Sequence, residues 1–298
     1  MYYPYFRGKQ YELITIRETS KLLAEKNFVP VIEPVRESLG SLKKTLSAVC
    51  EAGGRAIVIV NPYHGDHKKD GASITGLLQE YFCEVDNISA GILLRNDMNA
   101  DEVIACYDQH ADHQPVLVHA GFTAPKELAA ALKKNTAGLD NVFIEDHAKM
   151  LYRKHFDQGK RILVRDGFKR QRNADYLPVE EFSDLHVTYD ELRMTGFGDF
   201  LIAGDVYSES GGPAYAVAIH LTFIDPDKDD VMYVYHFISD TNDTPTDPAG
   251  KFAQALEKLI AKLDSDNSHI LETEAIKEFR SLHAKGHFPG LGYIKKLS

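Results

Sequence analysis

No stretch of this 298-residue chain approaches the ~20 apolar residues that a bilayer-spanning helix needs. Its opening residues, MYYPYFRGKQYELITIRE, carry charges and no apolar signal core, so the expectation is a cytoplasmic protein with no membrane partner. Cysteine is scarce. Cys50, Cys83 and Cys106 fall in segments with helical patterning and form no C-x-x-C pair, which argues against a zinc or disulfide framework and for buried structural thiols. Positive charge is short as well: 34 Lys and Arg against 44 Asp and Glu leave a net charge of -10, a poor footprint for broad nucleic-acid binding. The first apolar run, VIEPVRESLG, is followed by no G-x-G-x-x-G or Walker pattern, and no G-x-S-x-G elbow occurs anywhere. Dinucleotide, P-loop and serine-hydrolase readings therefore lack their signatures.

What is present is a rhythm. VPVIEPV, AIVIVNP, GILLRND, PVLVHAG, NVFIEDH, RILVRDG and FLIAGD are short Val/Ile/Leu runs, each ending in polar residues. Six of these strands begin near Val29, Ala56, Ser89, Pro115, Asn141 and Arg161, with room for a helix and two loops between them. Leu39, Leu42, Leu46 and Val49, and then Ile74, Leu77, Leu78, Tyr81 and Phe82, keep helical spacing. Asn99 with Glu102 reads as a capping box, and Pro125 as a helix start. A first helix is expected over Gln10 to Lys26, FLIA as the seventh strand, and AVAIHLTFI as the eighth, pairing with VMYVYHFIS as a hairpin. Two amphipathic helices follow, then a tail, GHFPGLGYIKKLS, that reads as a loop. The expected fold is a TIM-type (β/α)8 barrel with a C-terminal hairpin and two extra helices, in one domain over residues 1–298. An open doubly wound sheet is the alternative.

A closed barrel brings the carboxyl ends of its strands to one mouth, where barrel enzymes place their chemistry. That gives Glu33, His119, Glu145 and Asp166 as candidate catalytic groups, and Asn61, Arg95, Arg165 and Arg170 as candidate substrate contacts. Converging carboxylates suit acid–base work by pushing each other's pKa apart, or suit Mg²⁺ or Mn²⁺, for which Asp205 and Glu145 are the candidate ligands. Paired arginines suit a phosphate or carboxylate, and His119 has the reference pKa of a proton shuttle. The plainer roles are helix capping for Asp97, Asp146 and Asp166, an ion-pair ring for the arginines, and a hydrogen-bonded core position for His119.

Three further segments stand out. NPYHGDH (Asn61 to His67) has metal-type residues at spacings that do not generally meet at one ion. FKRQRN, with Phe168 and Tyr176 near it, is a local basic cluster or a solvated turn. GDVYSESGGPAY, holding Ser208 and Ser210, reads as a flexible lid.

The segment YYPYFRGKQYEL with the later VPVIEPV resembles the "beta family", proteins named after a phage T4 protein and found in bacterial and prophage genomes. The resemblance covers an aromatic-Pro-x-x-(R/K)-G-(R/K)-Q-x-E-L opening, a P-(V/I)-I-E strand, and a late G-D-(Y/F) segment placed at Gly204 and Asp205, with Tyr207 two positions beyond Asp205. It implies mobile-element or phage-defence company and no activity. It also draws attention to Arg7, Lys9, Gln10 and Glu12.

The residues therefore support an enzyme, of hydrolase type, acting on an anionic small molecule or phosphate ester. The alternatives are a non-catalytic adaptor with a protein partner, and a nucleic-acid enzyme using the insert around Arg170. Oligomeric state is not indicated.

Overall fold

The computed structural model describes residues 1–132, 139–209 and 212–298. Contacts divide them into two compact units: Met1–Asp166 with Thr188–Leu201, and Gly167–Val187 with Ile202–Ser298.

The first unit is an α/β barrel. Its strands are β1 (Tyr5–Phe6), β2 (Val31–Ile32), β3 (Ala56–Ile59), β4 (Ile88–Leu94), β5 (Val116–His119), β6 (Asn141–Ile144) and β7 (Arg161–Arg165), all parallel. β8 (Val179–Ser183) belongs to the second unit, and β9 (Gly196–Asp199) completes the barrel beside β7. The ring is drawn together where Tyr2 bridges Phe197, with Tyr3 N–H donating to Phe197 O at 2.8 Å and Phe197 N–H to Met1 O at 3.0 Å. Helices lie between the strands, because each Val/Ile/Leu-rich run is buried on both faces and the amphipathic segments cover the outside. The Asn99 capping box forms, with Asn99 accepting from Glu102 N–H at 3.0 Å and Glu102 accepting from Asn99 N–H at 2.8 Å. The first helix is interrupted at Thr19, giving Gln10–Glu18 and Ser20–Glu25. Thr15 and Thr19 both turn their hydroxyls back onto carbonyls four residues earlier, a competition that bends helices.

Alternate residues of the strands fill the barrel: Tyr3 and Tyr5, Val29 and Val31, Ile57 and Ile59, Val116 and Val118, Val142 and Ile144, Ile162 and Val164. This phase fixes which strand-end residues look into the mouth and which look outward.

Two expectations for this unit are corrected. FLIA is not a strand: Leu201–Ala203 is a 3₁₀ turn, and the last barrel strand lies just before it, at Gly196–Asp199. AVAIHLTFI is a strand but not the eighth of the barrel, since the dipeptide Tyr5–Phe6 supplies the missing one. Both true strands escape a hydrophobicity reading, one being two residues long between Pro4 and Gly8, the other being GFGD. The glycines of GFGD have a steric reason, because a Cβ on Gly198 would sit 2.1 Å from Tyr3 O.

In the second unit, β10 (Ala218–Asp225) and β11 (Val231–Ile238) form the expected hairpin and continue to β8, an antiparallel sheet in the order β10-β11-β8. One face carries Ile219, Leu221, Phe223, Tyr235 and Phe237 against the helices Pro248–Leu263 and Glu274–Lys285. The tail expected as a loop contains a third helix, Leu291–Leu297, which buries Ile294 and Leu297 in the same cluster. The other face carries Phe168, Tyr176, Phe182 and Val234. Of the cysteines expected to be buried, Cys83 is exposed, and Cys50 and Cys106 are partly so.

Candidate active site at the barrel mouth

The residues following β1 and β2 form a closed knot. Glu33 is fully buried; its Oε2 accepts from Arg7 and, at 3.2 Å, from the Tyr5 hydroxyl. Its Oε1 accepts from Tyr63 N–H at 2.9 Å, His64 N–H at 3.0 Å and His64 Nδ1 at 3.1 Å. Burial alone would raise this carboxyl, but the His64 hydrogen bonds and the Arg7 guanidinium outweigh it and bring the pKa down to about 2. Arg7 lies 5.0 Å from the Tyr5 ring centroid and 5.2 Å from that of Phe200, so its cation rests against a pair of adjoining aromatic rings. Gly8 has φ +62, and a Cβ there would come 2.9 Å from Glu33 O. The Arg-Gly pair is thus a single device, an arginine for the carboxylate and a left-handed residue that lets the backbone pass it. Glu33, expected as a catalytic group, is a saturated carboxylate whose low pKa makes it a poor base.

NPYHGDH is the other half of this knot and not a metal loop. His64 serves Glu33, Asp66 accepts from Glu37 N–H at 2.8 Å, and buried His67 faces Arg36 O at 3.0 Å. Asn61 spends its amide on the backbone of β4, donating to Leu93 O at 3.0 Å and accepting from Leu93 N–H at 2.8 Å, so it is a strand extension and not a free substrate contact.

Arg95 ends β4 in the inward phase set by Leu93. Its Nη1 donates to Asn61 O at 3.1 Å, its guanidinium lies 5.8 Å from the Tyr63 ring centroid, and its Nε donates to Asp97 at 2.9 Å. Asp97 is 58% exposed, against 18% for Arg95, and the Arg95 hydrogen bond lowers its pKa.

On the opposite part of the rim, Arg165 grips both oxygens of Glu145, at 2.5 and 3.2 Å. These two are one step out of phase with Ile144 and Val164, so they stand on the outer side of the rim. Asp199, the register partner of Arg165, shares that phase. Its carboxylate accepts from the Tyr2 hydroxyl and from Leu201 N–H, each at 2.9 Å. Burial, the largest influence, and the neighbouring Asp166 push Asp199 up to about 6, against the pull of those two hydrogen bonds. Leu201 directly after it has φ +54, an uncommon conformation for a bulky residue. Asp166 follows Arg165 and returns to the inward phase. Asp199 escapes the sequence pattern because the apolar run FLIA begins four residues after the true strand start and points to Asp205 as the strand-end acid. The G-D-(Y/F) pattern sought at Gly204 and Asp205 is met without a gap at Gly198, Asp199 and Phe200.

Three expected site residues are not among these rim residues of the first unit. His119 is out of phase with Val116 and Val118 and is buried between strand and helix. Its Nδ1 faces the Tyr152 hydroxyl at 2.8 Å, its Nε2 faces Asn141 Oδ1 at 3.0 Å, and it stacks on Phe143. Burial lowers its pKa to about 3, so it is a neutral core histidine and no proton shuttle at the mouth. Asp205 belongs to the second unit, as does Arg170, which donates to Val206 O at 3.0 Å. Ser208 is described, but Ser210 lies outside the described residues.

The donor set expected for Mg²⁺ or Mn²⁺ does not fit a metal, since an arginine fork occupies both oxygens of Glu145. Among the described residues the group of metal-type ligands that does come together is Asp225, Asp227 and His269, at the β10–β11 turn. There the Lys228 ammonium already lies 3.1 Å from Asp225.

Comparison with known protein families and with characterised proteins finds no match to this chain. No helix among the described residues is long and apolar enough to cross a membrane.

Proposed function

We propose that the barrel mouth binds an anionic small molecule or phosphate ester and acts on it by acid–base chemistry, as a cytoplasmic, hydrolase-type enzyme. Arg95 is the anion contact. The observation that carries this reading is the asymmetry of its ion pair: the guanidinium is anchored from behind by Asn61 O and flanked by Tyr63, while its counter-ion, Asp97, is mostly solvent-exposed. An exposed pair of this kind is worth little, so an incoming phosphate or carboxylate can take the place of Asp97. Asp166 is the acid–base group of the mouth. Asp199, on the outer phase of the rim, is its carboxyl neighbour, raised by burial to about 6.

The test is calorimetric titration of the full chain with inorganic phosphate, for wild type, Arg95→Gln and Asp166→Asn. Binding that is lost in Arg95→Gln and kept in Asp166→Asn supports the assignment. Unchanged binding in Arg95→Gln removes it.

The adaptor reading has one observation in its favour: both oxygens of Glu33 are satisfied, by Arg7, Tyr5, Tyr63 and His64, as those of a scaffold residue would be. Kinship with the beta family, and with it a mobile-element or phage-defence setting, is part of the same proposal. Its support is that two of the motifs behind the resemblance meet at one place, Arg7 and Gly8 against Glu33.

A further inference from the structure

The second unit contains a partly buried chain of titratable groups that the barrel chemistry does not use. His220 on β10 and His236 on β11 are direct cross-strand partners, on the sheet face opposite the helices. Their Nδ1 atoms are 2.6 Å apart, so one imidazole donates to the other. The other nitrogen of His236, Nε2, lies 3.2 Å from Glu180 Oε2 on β8. That contact has ion-pair distance but is off the hydrogen-bond axis, and the relay requires the Glu180 carboxylate to turn about its terminal torsion to align with it. Glu180 is itself held by Gln171 Nε2 at 3.1 Å, and Gln171 N–H donates to the Tyr176 hydroxyl at 3.2 Å. The Tyr176 ring stacks on His236 at 4.4 Å and 13°, and Phe168 meets His220 edge-on at 5.1 Å.

We propose that Glu180, His236 and His220 form a proton relay that presents Nε2 of His220 as a second general-base site, one that takes a proton from a water or hydroxyl group. The tautomers follow from the contacts. An ionised Glu180 only accepts, so His236 carries its proton on Nε2 and offers a lone pair at Nδ1. His220 must then carry its proton on Nδ1 and donate it to His236, which leaves the Nε2 lone pair at the open end of the chain. The step balances. The O–H bond of the ligand breaks and its proton bonds to His220 Nε2, the His220 Nδ1 proton passes to His236 Nδ1, and the His236 Nε2 proton passes to Glu180. The ligand is left as an oxyanion, and the negative charge of Glu180 is consumed.

Burial fits transfer over storage. It lowers His220 to about 3, with His236 adding to the effect, and lowers His236 to about 4. Neither ring keeps a positive charge at neutral pH. Gln171, Tyr176 and Phe168 come from the FKRQRN segment and its surroundings. This gives that segment a positioning role around the relay in place of the nucleic-acid role its charge suggested.

Two measurements on the full-length chain decide the matter. Nitrogen-15 histidine NMR at pH 7 should find His220 protonated on Nδ1 and His236 on Nε2; the reverse assignment at either residue overturns the proposal. Diethylpyrocarbonate, which acylates neutral imidazole at a free lone pair, should modify His220 ahead of the solvent-exposed His155 when the products are mapped by peptide mass spectrometry. Glu180→Gln keeps an acceptor for His236 but cannot take the proton, and should slow modification of His220 about tenfold, the factor that one pKa unit represents. An unchanged rate in Glu180→Gln, or a His220 that reacts no faster than His155, also overturns it. None of these readouts depends on anion binding at the barrel mouth.

Discussion

Two arginine–carboxylate pairs on one barrel rim have opposite characters. Arg7 and Glu33, after β1 and β2, are buried, and the carboxylate receives hydrogen bonds from Arg7, Tyr5, Tyr63 and His64. Arg95 and Asp97, after β4, share two hydrogen bonds, and one partner is open to water. The same residue types at equivalent strand ends thus do different work, and solvent decides which. A desolvated pair cannot lose a member without leaving a bare charge inside, whereas an exposed pair exchanges its anion at little cost. The first builds the rim and the second is available to a ligand.

The largest effect that sharpens this contrast is Arg7→Met, which strands the Glu33 charge. It should lose roughly 3–5 kcal/mol in urea unfolding, as broken buried pairs do. A loss below about 1 kcal/mol, the range of a surface pair, would make Arg7 no different from Arg95.

Acid comes next. Glu33 has a folded pKa of about 2 against an ordinary 4.5, so its contribution is present above pH 4.5 and disappears as pH falls toward 2. That amounts to roughly 3 kcal/mol. His119, lowered to about 3 from 6.5, adds to the same trend from pH 6.5 downward. Unfolding measured between pH 7 and 2 should steepen below pH 4.5, and Glu33→Gln should flatten that lower part.

Asp199 runs the other way. Its folded pKa, about 6 against 3.8, means that its contribution is complete below pH 3.8 and is lost as pH rises through 6. Asp199→Asn keeps an acceptor for Tyr2 and Leu201, so it should match wild type at pH 4 and exceed it at pH 8 by about 2–3 kcal/mol. Equal stability at both values would contradict a proton held on Asp199. The smallest expected effect on stability is that of Arg95→Gln, under about 1 kcal/mol.

Much of the barrel was legible in the sequence. β2 to β7 announce themselves as Val/Ile/Leu runs because both faces of a barrel strand are dry. β1 and β9 do not, since their positions are set by a two-residue pairing and by glycines that admit Tyr3. The site was legible by type and less by direction. Glu33 and Arg95 stood in the right phase, but His119 was one residue out, and in a strand one residue is the difference between the barrel and the helix layer. Asp199 was hidden by the misplaced seventh strand, although GDF marked it. The His220–His236 pair could not be read, because it exists only through the register of β10 against β11.

The most direct measurement is a thermal-shift titration with phosphate on wild type, Arg95→Gln and Arg165→Gln. The account predicts a stabilising shift in wild type and Arg165→Gln that disappears in Arg95→Gln. A shift that survives in Arg95→Gln and disappears in Arg165→Gln would place the anion on the outer rim, and no shift in wild type would leave the mouth without the anion site claimed for it.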